Sequence, residues 1–235
     1  MGILFAVSDI HGHYELLIKV LNESGFDIKN LGHKLIVLGD LFDRGRENVL
    51  VYRYLKNLKT NNKAVILKGN HELFFRDLDD NNPLRVHFNY LHNGFDKTIS
   101  EFSGIPINDL LEYTNYELKK RINENHPELL TWINDLPYYL ETKNYIFSHA
   151  GFHPDKALRD MDWRKAVWTK SETLADIDFM SFGYRKTLIM GHRPTSIMGE
   201  NNYDIHYSQD GQKIYIDGGV AYGGKINVLK IENNT

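Results

Sequence analysis

The chain has 235 residues, 42% of them hydrophobic and 25% charged, enough to close one large α/β core. Its 28 basic and 31 acidic residues leave a formal charge of −3, which offers no electrostatic footprint for a nucleic-acid polymer or an anionic membrane. There is no cysteine, so disulfides, thiolate nucleophiles and thiolate metal sites are excluded, and any metal must be held by oxygen and imidazole.

The first apolar run, residues 3–7, lacks a basic flank and is followed at once by Ser8-Asp9. It reads as a strand, not a signal peptide. Gly2 does not open a myristoylation motif, because Ala6 stands where Ser or Thr is needed. No apolar stretch approaches the roughly 20 residues of a membrane helix, so the expectation is a soluble, cytoplasmic protein.

Next come helical patterns at 14–21, with Leu16, Leu17, Val20 and Leu21 on one face, and at 49–58, with Val51, Tyr54, Leu55 and Leu58. They read as crossover helices between strands. From about residue 74 to 137 the strand signal vanishes and apolar residues recur at helical spacing, which predicts a helical insertion lying over one side of a site. After Met180 short strands are expected near 187–190, 203–207, 213–216 and 225–231, with Asp210-Gly211 as a hairpin signal. This stretch predicts a second, largely antiparallel sheet.

One pattern recurs six times: a short apolar run that stops at a polar cluster. Residues 3–7 run into Ser8-Asp9-Ile10-His11-Gly12, 35–38 into Gly39-Asp40-Leu41-Phe42-Asp43-Arg44-Gly45, and 64–67 into Lys68-Gly69-Asn70-His71-Glu72. Residues 145–147 reach Ser148-His149-Ala150-Gly151, 188–190 reach Gly191-His192-Arg193-Pro194, and 214–216 reach Asp217-Gly218-Gly219. Continuous apolar runs bounded by glycine are buried strands, and layered α/β folds place ligand sites at strand carboxyl ends. Asp9, His11, Asp40, Asn70, His149 and His192 each follow such a strand, and all are donors suited to a first-row divalent ion without thiolate. Six donors over-ligate one ion that must keep an open position. Two ions with a bridging carboxylate are the simpler reading.

In order, the blocks Asp9-Ile10-His11-Gly12, Gly39-Asp40-x-x-Asp43-Arg44-Gly45, Gly69-Asn70-His71-Glu72, His149-Ala150-Gly151 and Gly191-His192-x-Pro194 resemble the calcineurin-like metallophosphoesterases. More narrowly they resemble the bacterial and phage branch of the serine/threonine phosphoprotein phosphatases. The resemblance spans Asp9 to Asp217. It implies an α/β fold, a four-layer α/β/β/α sandwich of two mixed β-sheets, and one domain over residues 1–235 that includes the helical insertion. It implies two divalent metal ions, Mn²⁺ foremost with Fe, Zn or Mg as alternatives. Asp9 and His11 would bind the first, Asp40 would bridge, and Asn70, His149 and His192 would bind the second. His71 would be the general acid with Asp43 orienting it, and Arg44 would hold a phosphate oxygen.

The chemistry is coherent on its own terms. Two divalent ions, two carboxylates and one hydroxide leave about +1, which attracts a phosphate dianion. Coordination lowers the pKa of water toward 7 and so supplies a nucleophile for in-line attack. A serine alkoxide leaves poorly unless protonated, the task of an imidazolium oriented by a carboxylate. Arg44 contributes a planar fork for two phosphate oxygens.

The sequence departs from the family pattern at Ser8, Arg193 and Gly218, none of them an expected ligand. Where the family carries a second phosphate-binding arginine in Trp-Ile-Arg, this chain reads Trp168-Thr169-Lys170. Lys170, Arg164 and Arg193 are therefore the candidates for a second phosphate cation, with a plain surface lysine as the other reading of Lys170. Pro194, where the wider family has a second histidine, favours the phosphoprotein-phosphatase branch. Asp43 has an alternative reading as a cap on the helix starting near Glu47, and Arg44 as a solvent-facing charge. Asp217 is either a turn former or a partner that orients a metal-bound histidine. Substrates are expected to be phosphoproteins or small phosphoesters. A symmetrical dinucleoside tetraphosphate hydrolase is the alternative, and an idle metal-binding scaffold the remote one.

Overall fold

A computed structural model of the chain describes residues 2–79, 82–199 and 202–233. Among these residues nine strands form two sheets. The first runs β3 (Ala64–Ile66), β2 (His33–Val37), β1 (Gly2–Val7), β9 (Leu229–Asn233). Its β1, β2 and β3 are parallel, and β9 lies antiparallel to β1. The second runs β4 (Tyr139–Glu141), β5 (Tyr145–Ser148), β6 (Thr187–Met190), β8 (Lys213–Tyr215), β7 (His206–Tyr207).

Strand side chains alternate between faces, and that alternation builds the layers. Phe5, Val7, Leu35 and Val37 point outward onto Leu17 and Leu21 of α1 (Tyr14–Ser24) and Val51, Leu55 and Leu58 of α2 (Asn48–Thr60). The spacing of those helical residues puts each set on one stripe, and α1 ends on left-handed Gly25. Leu4, Ala6 and Ile36 face the other way, onto Phe147, Ile189, Ile216, Leu229 and Ile231, which fills the space between the sheets. The outer face of the second sheet, Ile146, Leu188, Met190 and Tyr215, packs on Phe152, Leu174 and Phe179. Its cover contains α8 (Trp163–Ala166) and the 3₁₀ turns Ser171–Leu174 and Phe179–Phe182, so this fourth layer is far thinner than the first.

Among the described residues the stretch expected to be helical is helical: α3 (Phe75–Asp79), α4 (Pro83–Asn93), α5 (Phe95–Ser103), α6 (Asn115–Asn125) and α7 (Leu129–Asn134). Phe95, Ile99, Phe102, Leu118, Ile122, Leu129 and Trp132 join the cluster that covers the first sheet. A Thr114–Glu117 capping box starts α6. Phe42, in the loop after β2, meets Phe102 edge-on at 5.4 Å, which ties that loop to α5. No helix among the described residues is long and apolar enough to cross a membrane.

The C-terminal third corrects the expected antiparallel sheet. β6 is parallel to both β5 and β8, and only β7 and β4 run antiparallel to their neighbours. The last strand leaves this sheet altogether and pairs with β1, which puts Leu229 and Ile231 between the sheets. The hairpin at Asp210-Gly211 is present, with Gly211 N donating to Ser208 O at 3.0 Å. Hairpin signals report only local pairing, whereas β1 and β9 are separated by most of the chain.

Ile189 is fully buried between the sheets. Ile189→Ala is expected to cost about 2–5 kcal/mol, read as a lower urea midpoint at unchanged denaturant slope.

Candidate metal and phosphate site

The carboxyl ends of β1, β2 and β3 and of β5, β6 and β8 meet at one edge of the sandwich. Their loops are laced by backbone hydrogen bonds: Asp9 N to Gly39 O at 3.2 Å, His11 N to Asp40 O at 3.0 Å and Gly12 N to Leu41 O at 2.9 Å. Asp9, His11, Asp40, Asp43, Arg44 and His192 have φ between 47° and 73°, and Asn62 is the one other described non-glycine residue with positive φ. Left-handed backbone costs about 1–3 kcal/mol per residue in such positions. Two glycines make the approach possible. A Cβ on Gly69 would collide with the Asp40 carboxylate and backbone, and one on Gly191 with Ser8 Oγ and Asp9 Oδ2.

Asp9, His11, Asp40, Arg44, Asn70, His71, His192 and Arg193 line one cavity of about 140 Å³, together with Trp168, Asp217 and Tyr222. His149, also fully buried, stands behind it, with Nε2 2.9 Å from Asn70 Oδ1, 3.2 Å from His192 Nδ1 and 3.3 Å from Asp40 Oδ1. Asp40 belongs to two donor groups, one with His11 and His71 and one with His149 and His192. Asp9 Oδ2 accepts from His192 N at 2.9 Å and from Ser8 Oγ, which ties the second sheet to the first.

The donor set suits divalent ions. His11 Nδ1 donates to Phe42 O at 2.9 Å and His149 Nδ1 to Leu38 O at 2.8 Å, which fixes the tautomer and leaves Nε2 of each as a lone pair. Burial holds both rings neutral by lowering their pKa; His71 and Arg44 add to the effect on His11. His192 is pushed down to about 2 by burial and by His149. The Nε2 lone pair of His149 therefore faces the Asn70 and Asp40 oxygens and a ring nitrogen of His192. A cation is what holds such acceptors together. Burial, then Asp9 and Glu72, raise the proton affinity of Asp40.

His71 Nδ1 lies 2.6 Å from Asp43 Oδ2. Burial pushes Asp43 up to about 8, against the Thr98 hydroxyl and Arg44, and burial with Arg44 and His149 pushes His71 down. Burial thus opposes charge on either partner, and one proton is held between them. The Nε2 face of His71 opens to the cavity, 3.4 Å from Arg44 Nη2 and 3.8 Å from Asp40 Oδ2. Arg44 Nη1 lies 3.4 Å from His11 Nε2, and its guanidinium stacks on Tyr222 at 5.0 Å.

Asp43 does not cap α2, whose N-cap is Glu47. Arg44 is partly buried in the cavity, not a solvent-facing charge. Asp217 Oδ1 accepts from Gly219 N at 2.8 Å, as a turn former does, and also lines the cavity. Arg193 lines the cavity with its guanidinium paired to Glu172 at 3.1 and 3.2 Å. Lys170 and Arg164 are exposed and do not line it.

Sequence reasoning gave Glu72 no role. Its buried carboxylate accepts from Gly69 N at 2.7 Å, Leu41 N at 2.9 Å and Asp40 N at 3.0 Å, and so clamps the loop after β2 to the loop after β3. Burial raises its pKa to about 7, while these three amides pull it down. The available signal was an acid placed two residues after Asn70 in a tight turn. Trp168 and Tyr222 at the cavity rim were also missed, because exposed aromatics carry no spacing signal.

With this geometry in hand, the profile of the Calcineurin-like phosphoesterase family matches residues 4–216. The chain belongs to that family of phosphoric-ester hydrolases, which uses a dinuclear divalent metal site. The serine/threonine-protein phosphatase 2 of Salmonella typhimurium is 25% identical over 97% of this chain and 93% of its own. The symmetrical bis(5'-nucleosyl)-tetraphosphatase of Buchnera aphidicola is 28% identical over 64% of this chain. A cold-active protein-tyrosine phosphatase of a Shewanella species shares the fold, with a TM-score of 0.62 at 17% identity, covering 100% of this chain and 76% of that one. The chain spans only 40 to 44% of the length of several curated relatives it matches, the Buchnera enzyme included.

Glu72→Gln replaces one accepting oxygen by a donor facing backbone N–H groups. It is expected to destabilise the protein by about 1–3 kcal/mol and to weaken divalent-ion binding, read by thermal melting and metal titration.

Proposed function

We propose that this chain is a metal-dependent phosphomonoesterase whose substrates are proteins phosphorylated on serine or threonine, with phosphotyrosine also accepted. The observation that carries the reading is the convergence on one cavity of a shared buried carboxylate, neutral imidazoles, Arg44 and a hydrogen-bonded His71–Asp43 pair. The Salmonella relative, aligned over nearly the whole of both chains, supports the protein substrate.

In this reading Asp9 and His11 hold one ion, Asn70, His149 and His192 hold the other, and Asp40 is shared. Bound there, two divalent ions, Mn²⁺ first among them, supply positive charge for the phosphate oxygens and lower the pKa of the attacking water. Arg44 directs its two Nη atoms at phosphate oxygens as a bidentate fork. Arg193 is the second phosphate cation in preference to Lys170 or Arg164, because it alone of the three lines the cavity. Its bond to Glu172 holds it in place at the cost of part of its charge. His71 gives a proton from Nε2 to the leaving oxygen, and Asp43 keeps Nδ1 oriented.

The Buchnera relative favours a second reading, hydrolysis of a dinucleoside tetraphosphate at the same site. A panel of a phosphoserine peptide, p-nitrophenyl phosphate and diadenosine tetraphosphate separates the two. Chelator-stripped protein is expected to be inactive and to recover with Mn²⁺. Asp40→Asn is expected to lose at least about 100-fold in kcat/KM, which corresponds to about 3 kcal/mol of transition-state stabilisation. Turnover of the dinucleotide orders of magnitude faster than the peptide would reverse the assignment of substrate, and metal-independent activity would overturn the site.

A further inference from the structure

The insertion was expected to roof the site, yet α5 reaches into the chemistry itself. Thr98 lies on the buried stripe of that helix beside Phe95, Ile99 and Phe102, and is fully buried. Its Oγ donates to Asp43 Oδ1 and accepts from Asp43 N at 2.9 Å. One hydroxyl therefore holds both the side chain and the backbone of a residue whose φ is 73°. The other carboxylate oxygen, Oδ2, is the one at His71 Nδ1.

Further contacts from the same helix brace the same loop. Lys97 Nζ donates to the Arg44 carbonyl. Glu101 Oε1 accepts from Asn48 Nδ2 at 2.6 Å, and Asn48 Oδ1 in turn accepts from Asp43 N at 2.9 Å. Arg44 N donates to Gly94 O, at the start of the helix, at 3.4 Å. A valine at position 98 would fill the same volume without burying a hydroxyl, which is costly unless the hydroxyl is bonded. Packing alone does not call for threonine here. The carboxylate of Asp43 does.

We propose that Thr98 is a positioning residue for proton transfer: it locks the Asp43 carboxylate so that Oδ2 stays on His71 Nδ1 while Nε2 faces the leaving oxygen. The inference rests on the reading of His71 as general acid. In that step water adds to phosphorus, the bond from phosphorus to the leaving oxygen breaks, and the His71 proton goes to that oxygen. A poor alkoxide leaving group needs the proton, whereas p-nitrophenolate leaves readily without it. Loss of positioning is therefore selective by substrate, and loss of packing is not.

The test compares Thr98→Val, Thr98→Ser and His71→Asn in the metal-loaded protein, on a phosphoserine peptide and on p-nitrophenyl phosphate, with melting temperature and bound metal followed alongside. T98V is expected to lower kcat on the peptide about 10-fold or more and on p-nitrophenyl phosphate less than about 3-fold, with KM unchanged. T98S keeps the hydroxyl and is expected to retain the wild-type ratio of the two rates; H71N shows the same selectivity as T98V with a larger loss. If H71N is selective while T98V slows both substrates alike or neither, or T98S loses the ratio as T98V does, the role of Thr98 is overturned. If H71N is itself unselective, the general-acid reading fails and takes this inference with it.

Discussion

The constraint on which the rest depends is the burial of acidic side chains. Asp9, Asp40, Asp43, Glu72 and Asp217 are each less than 5% exposed within one small region. Carboxylates are not left bare at such depth. Half of their oxygens are met by backbone amides: three amides on the two of Glu72, His71 N on Asp40 Oδ1 at 3.1 Å, His192 N on Asp9 Oδ2, Gly219 N on Asp217 Oδ1. Those from Asp40, Leu41 and His71 join the loops after β2 and β3, and the bond from His192 to Asp9 joins the two sheets. The acidic groups that offer oxygens to cations are thus the same groups that close the sandwich at this edge. Arg44 and Arg193 are the permanent cations among the described residues of the cavity wall. The imidazoles, held neutral, contribute lone pairs in place of charge.

The left-handed backbone follows from the same demand. For several loops to aim donors at one small volume, each must turn sharply just after its strand, and six site residues do so with positive φ. An L-residue adopts that conformation only where its surroundings over-determine it. Here the over-determination is visible: backbone bonds cross between the β1 and β2 loops, Glu72 clamps the β2 loop to the β3 loop, and α5 braces Asp43 and Arg44. Strain and charge are concentrated at one edge, while the sheets behind it are continuous apolar packing.

That division explains what could be read from the sequence. Donors placed directly after apolar runs were legible because strand and turn are local signals, and the buried strands were legible as uninterrupted apolar segments, but the parallel direction of β6 and β8 was not. The course of the last strand was not, because Leu229 and Ile231 alternate equally well in either sheet and the choice of β1 as partner is non-local. Glu72 and Thr98 escaped for a related reason. Their roles lie in what they bond across 31 to 55 residues of chain, and a carboxylate receiving three amides looks in sequence like any other acid. Lys170 carries the charge type expected of a phosphate ligand, but its loop points it to solvent.

The parts of the cavity also differ in origin, and this bears on why family members of one chemistry carry different substrate names. The donors, Arg44 and His71 arise from strand ends and cannot move without breaking the laced loops. Trp168 comes from the loop before the 3₁₀ turn Ser171–Leu174 and Tyr222 from the turn Val220–Tyr222; both are about half exposed or more at the rim. Rim residues of this kind are not held by the laced loops and can vary at little cost to the fold. The insertion spans both origins: Asn93, at the end of α4, lines the cavity, while Thr98 one helix later holds Asp43. A change of substrate made through this insertion is therefore constrained by the need to keep α5 seated on Asp43.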